Sequence, residues 1–287
     1  MANETQYIDL TLLFCYNSIA VLFVMAITYL VMYRQTLLLI LVFAFTLFVC
    51  IQSFGKFFSN PMQNMGFIKL MLLLPMGLGV ILLLIRLPKE IRNQYYIWYS
   101  NYINMAVLLN IFAMLFTPDG GTYRGYLSRL VCLALLIWLL QEMRKKRFQT
   151  IHFDQGLFLF RSSPLHWIFC HATYRIVLLS LPSFETQKFL LLEPLSLIVM
   201  FSLFSFHKKR FALEQYFGFA DTLVVTTITV LSWYPILLPF KTNGPYIKNL
   251  NQNEWDMILI PLQLMVIGFA LLAIFKNTKQ NRLRTEN

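Results

Sequence analysis

Charge is what this chain has least of. Only 13% of its 287 residues are charged, about half the share usual in a soluble domain, while 58% are hydrophobic. That shortage excludes an ordinary water-facing surface. No gap between the apolar runs reaches the roughly 50 residues that a separate soluble domain needs, so residues 1–287 read as a single membrane-embedded domain. The N-terminus lacks a positive n-region, and Glu4 and Asp9 precede the first apolar run, which argues against a cleavable signal peptide. That first run is expected to stay as a helix. Asn3-Glu4-Thr5 fits a glycosylation acceptor but lies too close to this helix to carry weight.

Cysteine is also sparse. Cys15, Cys50, Cys132 and Cys170 all fall inside apolar runs and read as buried thiols, with neither metal-ligand spacing nor a disulfide framework. There is no phosphate-cradling Walker loop, no His-Glu-x-x-His and no Gly-x-Ser-x-Gly elbow. Histidine-rich boxes and paired aspartate motifs are missing too. No metal and no cofactor are expected, and an enzymatic role is weakened but left open, because membrane active sites can be assembled from scattered single residues.

What the chain has instead is apolar length. Mean hydropathy is +0.61. Runs of about 18 or more apolar residues, the transmembrane signature, recur along it. They give nine candidate spans, near 9–33, 36–54, 67–85, 96–117, 125–142, 164–182, 189–206, 218–239 and 257–275. The fold class expected is an all-α polytopic integral membrane protein of about nine transmembrane helices.

The net charge of +11 does not point to nucleic acid. A nucleic-acid footprint gathers basic residues on one groove or patch. Here they punctuate the ends of apolar runs, where they fix topology and meet anionic headgroups. With the N-terminus outside, 16 of the 24 Lys and Arg residues fall on the inner side and 6 on the outer, leaving only Arg129 and Arg175 within spans. This positive-inside bias orients the chain N-out, C-in in a cell (inner) membrane. The bilayer is the expected partner, with other membrane subunits a further one. Tyr95, Tyr96, Trp98 and Tyr99, then Trp233 and Tyr234, then Trp255 read as interface anchors.

A repeat runs through this pattern. Three hairpin-like units, 95–147, 164–211 and 217–279, each pass in, out and in again, with a proline-bearing outer turn. The first two end in Arg144-Lys145-Lys146-Arg147-Phe148 and Lys208-Lys209-Arg210-Phe211. Duplication and convergence both account for the likeness. Between them, 148–163 reads as an interfacial helix carrying Phe153, Leu157 and Phe158, or as the frayed start of the sixth span. Pro75-Met76-Gly77-Leu78-Gly79 should kink or loosen the third span.

Ionisable groups inside a span cost at least about 2.5–3.5 kcal/mol, so they usually face the bundle interior. Arg175 lies near the middle of the sixth span, with His171 and Trp167 at successive four-residue steps on the same face. His166 is five residues from His171 and falls on another face, which excludes a same-face metal pair. The functional reading is a polar lane in which Arg175 binds an anionic group and His171 relays a proton. The bland one is an arginine tied to a neighbouring helix. Glu193, at the outer end of the seventh span, is the expected partner of Arg175, and Arg129 competes for the same carboxylate. Asp221, preceded by Glu214, suits the start of the eighth helix, and Thr222, Thr226 and Thr229 suit helix contacts. Asn101, Asn104 and Asn110 read as interhelical hydrogen-bonding groups, and Asp119-Gly120-Gly121 as an ordinary turn which, with Arg124, could rim an outward-facing site.

Three functions remain open on these residues. The first is a transporter, or the membrane subunit of a transport or envelope-assembly system, binding an anionic or lipid-linked substrate through Arg175, His171, Glu193 and Arg129. The second is an intramembrane enzyme acting on a lipid or lipid-linked substrate, with His171 as base and Arg175 as oxyanion stabiliser. The third is a non-catalytic scaffold or sensor subunit.

Overall fold

In the computed structural model the described residues are 7–8, 10–53, 74–75, 77–79, 88–117, 119–145, 152–154, 157–159, 164–181, 192–206, 246–247 and 252–285. They form seven helices: α1 (Leu10–Tyr33), α2 (Gln35–Ser53), α3 (Lys89–Met114), α4 (Tyr123–Met143), α5 (Leu165–Leu179), α6 (Leu192–Phe206) and α7 (Gln252–Thr285). Each coincides with one of the expected spans. The eighth expected span lies outside the described residues, and of the third only Leu74, Pro75 and Gly77–Gly79 are described. Three stretches, Gln35–Gln52, Tyr123–Met143 and Asn253–Lys279, are long and apolar enough to cross a membrane. The 15-residue helix α5 is shorter than expected. At 1.5 Å per residue it reaches about 22 Å, against a hydrocarbon core of about 30 Å.

Proline sets several helix boundaries. Pro88 and Pro164 precede α3 and α5 with φ of −51° and −68°, angles a helix entrance accepts. Pro194 falls in the first turn of α6, where its missing N–H would have no intrahelical acceptor. Pro261 lies inside α7, and its ring removes the hydrogen bond that the Met257 carbonyl would accept.

Two short ladders accompany the helices. β1 (Tyr7–Ile8) pairs in parallel with β4 (Tyr246–Ile247), which brings the starts of α1 and α7 to the same end of the bundle. β2 (His152–Asp154) pairs antiparallel with β3 (Leu157–Leu159), Phe153 opposite Phe158. This corrects the expectation of an interfacial helix or a frayed helix start over 148–163.

Helix directions follow from side-chain bonds. Arg124, at the start of α4, meets Asp256, at the start of α7; Glu142, at the end of α4, meets Asn277 near the end of α7. The two helices therefore run parallel. α5 runs against them: its C-terminal cap Ser180 meets Arg124, and Trp167 near its start donates to the Leu135 carbonyl of α4. These directions match the alternation expected for the fifth, sixth and ninth spans. The two ends are named below by Asp119 and by Lys145.

α4 is the hub, packed by α3, α5 and α7, while α1 lies against α2 and α6. Val131, Leu135 and Leu139 of α4, Tyr99 of α3 and Tyr174 of α5 have 1% exposure or less. Leu78 and Gly79 have turn geometry, as the third span's glycines foretold. Gly77 abuts Phe43 of α2, and Gly79 abuts the Tyr99 ring; a Cβ on Gly77 would stand 2.6 Å from that of Phe43. Tyr95 donates to the Leu78 carbonyl at 3.2 Å, so this turn joins α2 to α3.

Candidate functional site

The Asp119 end begins with a turn that the sequence reading took as ordinary. Gly120 and Gly121 hold φ of 64° and 70°, left-handed values that favour glycine. The Asp119 carboxylate accepts from the Gly121 N–H at 2.9 Å, and its carbonyl accepts from the Thr122 hydroxyl at 3.0 Å. Thr122 caps α4 by accepting from the Gly125 N–H at 3.1 Å. The other Asp119 oxygen pairs with Arg129 at 3.0 Å, half-exposed on the outer face of α4.

One turn from Arg129, on the inner face, Arg124 is fully buried. Its Nη1 pairs with Asp256 at 2.6 Å, and its Nε and Nη2 donate to the hydroxyl and carbonyl of Ser180 at 3.2 and 3.0 Å. Ser128 donates to the Arg124 carbonyl, and Gln263 Nε2 donates to that carbonyl and to Ser128 Oγ at 2.9 and 2.8 Å. One guanidinium therefore joins α4, α5 and α7.

A second polar cluster closes the Lys145 end. Buried Glu142 accepts from Lys145 at 2.6 Å, from Asn277 at 2.8 Å and from Trp138 at 3.4 Å. Lys145 also donates to Asn277 Oδ1 at 2.9 Å. Eighteen residues of α4 separate Arg124 from Glu142, about 27 Å of helix, close to the thickness of a hydrocarbon core. Between the clusters, Asp256, Gln263, Ala270 and Asn277 line α7 at seven-residue steps, the last three with 6% exposure or less. Such a repeat keeps one seam facing its partner over the whole length.

The lane expected on α5 is buried. His171 and Arg175 are 3% and 6% exposed. Trp167 stacks on the His171 ring at 4.9 Å and 9°, and Tyr174 lies 6.4 Å from it. His166 is exposed, on a different face. Arg175 lies five residues before Ser180, about 7 Å along the helix from the Arg124 cluster, and His171 about 13 Å. Arg129 is bonded to Asp119 rather than joined to this face. Glu193 is in the first turn of α6, but its side chain lies outside the described residues, as do Glu214, Asp221, Thr222, Thr226 and Thr229. Asn101 is exposed, and Asn104 and Asn110 are half-buried. Cys50, Cys132 and Cys170 are buried free thiols and Cys15 is exposed.

Sequence reasoning did not single out Asp256, Gln263, Glu142 or Asn277, and it set Arg124 with the Asp119 turn at the rim of an outward-facing site. The readable signal was polar residues seven apart in the ninth span and its flanks. No protein-family model, curated protein or solved structure matches the chain.

Proposed function

We propose that this polytopic membrane protein handles an anionic or lipid-linked substrate, as a transporter or as the membrane subunit of a transport or envelope-assembly system. The observation that carries the reading is the buried pair Arg175 and His171, one turn apart on α5 and well inside the level of the Arg124 cluster. Arg124 serves structure, since its guanidinium bonds are taken up by Asp256 and Ser180. Arg175 places a cationic group inside the bundle, the side-chain chemistry that recognises an anion. His171, held flat against Trp167, adds an imidazole to the same face.

The test is binding by the reconstituted protein to a panel of organic phosphates and carboxylates, soluble and lipid-linked. Arg175→Gln should weaken the best ligand by about tenfold or more, equivalent to about 1.4 kcal/mol. Arg175→Lys should keep part of the affinity. Unchanged binding by Arg175→Gln would remove the reading. The scaffold alternative has its own support in the two polar clusters, which fix α4 against α7 at both ends. It stands if Arg175→Gln lowers only thermal stability.

A further inference from the structure

Pro261 divides α7 into two parts that bury their apolar side chains in different places. The buried apolar residues after it, Val266 and Ala270, belong to the main core with Tyr174 and Leu178 of α5. Those before it, Trp255 and Leu259, belong to a separate small core with Val177 and Leu179 of α5, with Ile176 and Leu262 at its margin. A segment seated on its own small core opens locally at less cost than the whole fold does.

The backbone is weakest at the same place. Pro261 has no N–H for the Met257 carbonyl, and both residues are exposed. Leu259 lies two residues from each, about 200° around the helix. The missing hydrogen bond is therefore on the side of α7 away from the Leu259 side chain.

Polar ties stand on both sides of this break. Gln263, just after it, holds α7 to the Arg124 carbonyl and to Ser128. Asp256, before it, holds the 252–260 segment to the Arg124 guanidinium, and its side chain keeps 14% exposure. One arginine thus anchors the part after Pro261 through its backbone and latches the part before it through its side chain. On α5, Ile176, Val177 and Leu179 of the small core lie between Arg175 and Ser180.

We propose that residues 252–260 form a gate at the Asp119 end, hinged at Pro261 and latched by Asp256 on Arg124. Its opening uncovers the stretch of α5 between Ser180 and Arg175. A hinge needs only a few residues that absorb the backbone change, and a missing helical hydrogen bond supplies them here. The motion follows from the packing alone; its use as the way to Arg175 rests on the function proposed above.

The experiment measures modification of single introduced cysteines by a water-soluble maleimide, in the full-length protein in nanodiscs with Cys15 replaced by Ser. The three remaining cysteines are buried and set the background. Val177→Cys probes the small core and Val131→Cys the main core; both valines are 0% exposed. Val177→Cys should react about tenfold faster or more, because local opening exposes it and not Val131→Cys. Adding Pro261→Ala restores the missing donor and should slow Val177→Cys by about tenfold. Adding Asp256→Asn releases the latch and should speed Val177→Cys by about tenfold more than Val131→Cys. Equal rates at the two cysteines would mean that the small core opens only with the whole fold, and would overturn the gate. So would a Val177→Cys rate that neither Pro261→Ala nor Asp256→Asn moves. No ligand takes part in this assay, so failure of the gate is distinct from failure of the Arg175→Gln binding test.

Discussion

Arg124 and Asp256 stand 132 residues apart in the chain and 2.6 Å apart in the fold. Nothing local joins them. The bond exists because α4 and α7 run parallel and start at the same end. The guanidinium is fully buried while the carboxylate keeps 14% of its surface exposed. Its remaining donors reach Ser180, which brings α5 into register as well.

Removing one partner should therefore cost far more than removing both. Asp256→Leu leaves a buried, unbalanced arginine and should destabilise by roughly 3–5 kcal/mol. Arg124→Met combined with Asp256→Leu should recover most of that loss, since apolar replacement of a buried pair is often neutral. Unfolding of the detergent-solubilised protein, followed by tryptophan fluorescence, gives the comparison. A double variant no better than Asp256→Leu would show that the pair is not the origin of the cost.

The turn before α4 makes a separate demand. A Cβ on Gly125 would stand 2.7 Å from the carbonyl carbon of Asp119, a backbone atom. Asp119 cannot yield easily, because its carbonyl and carboxylate bind Thr122, Gly121 and Arg129. Gly125→Ala should cost about 1–3 kcal/mol, whereas Gly121→Ala meets no atom within 4 Å and should suffer only the strain of its φ of +70°. Thermal unfolding of the two variants should rank Gly125→Ala as the more damaging.

The helices were legible because apolar length is a local property. All seven described helices fall on runs marked by composition alone, and the α5 face followed from four-residue spacing. The β2–β3 hairpin was less legible, since Phe153, Leu157 and Phe158 fit an apolar surface under either period. The two clusters were hidden for another reason. Setting Arg124 at the rim of an outward-facing site is reasonable for a basic residue at a span end, and only the partner on α7 reveals it as interior. Asp256, Gln263, Ala270 and Asn277 did carry a seven-residue period. The missing information was which helix that stripe faced.

Parallel packing of α4 and α7 predicts a specific cross-link. With Cys15 replaced by Ser, Gln141→Cys paired with Thr278→Cys should be joined by a short bismaleimide, because the native side chains meet at 3.4 Å. Gln141→Cys paired with Asn253→Cys should not, since 25 residues of α7 separate positions 253 and 278, about 37 Å at helical rise. The opposite pattern on a gel would mean that the helices run antiparallel.

The two clusters should also behave as separate units. Asn277→Leu removes hydrogen bonds to Glu142 and Lys145 while leaving those two residues paired. Its cost should be about 1–3 kcal/mol, that of leaving buried groups partly unsatisfied. Within the cluster, Asn277→Leu and Lys145→Met share Glu142 and should be non-additive by about 0.5–3 kcal/mol. Between clusters the expectation reverses. Asp256 and Asn277 lie 21 residues apart on α7, about 31 Å along the helix, with no partner in common among the described residues. The costs of Asp256→Leu and Asn277→Leu should therefore add to within about 0.5 kcal/mol. Marked coupling between them, measured by the same unfolding assay, would show that the seam through Gln263 and Ala270 transmits strain from one membrane boundary to the other, and that the clusters are not independent.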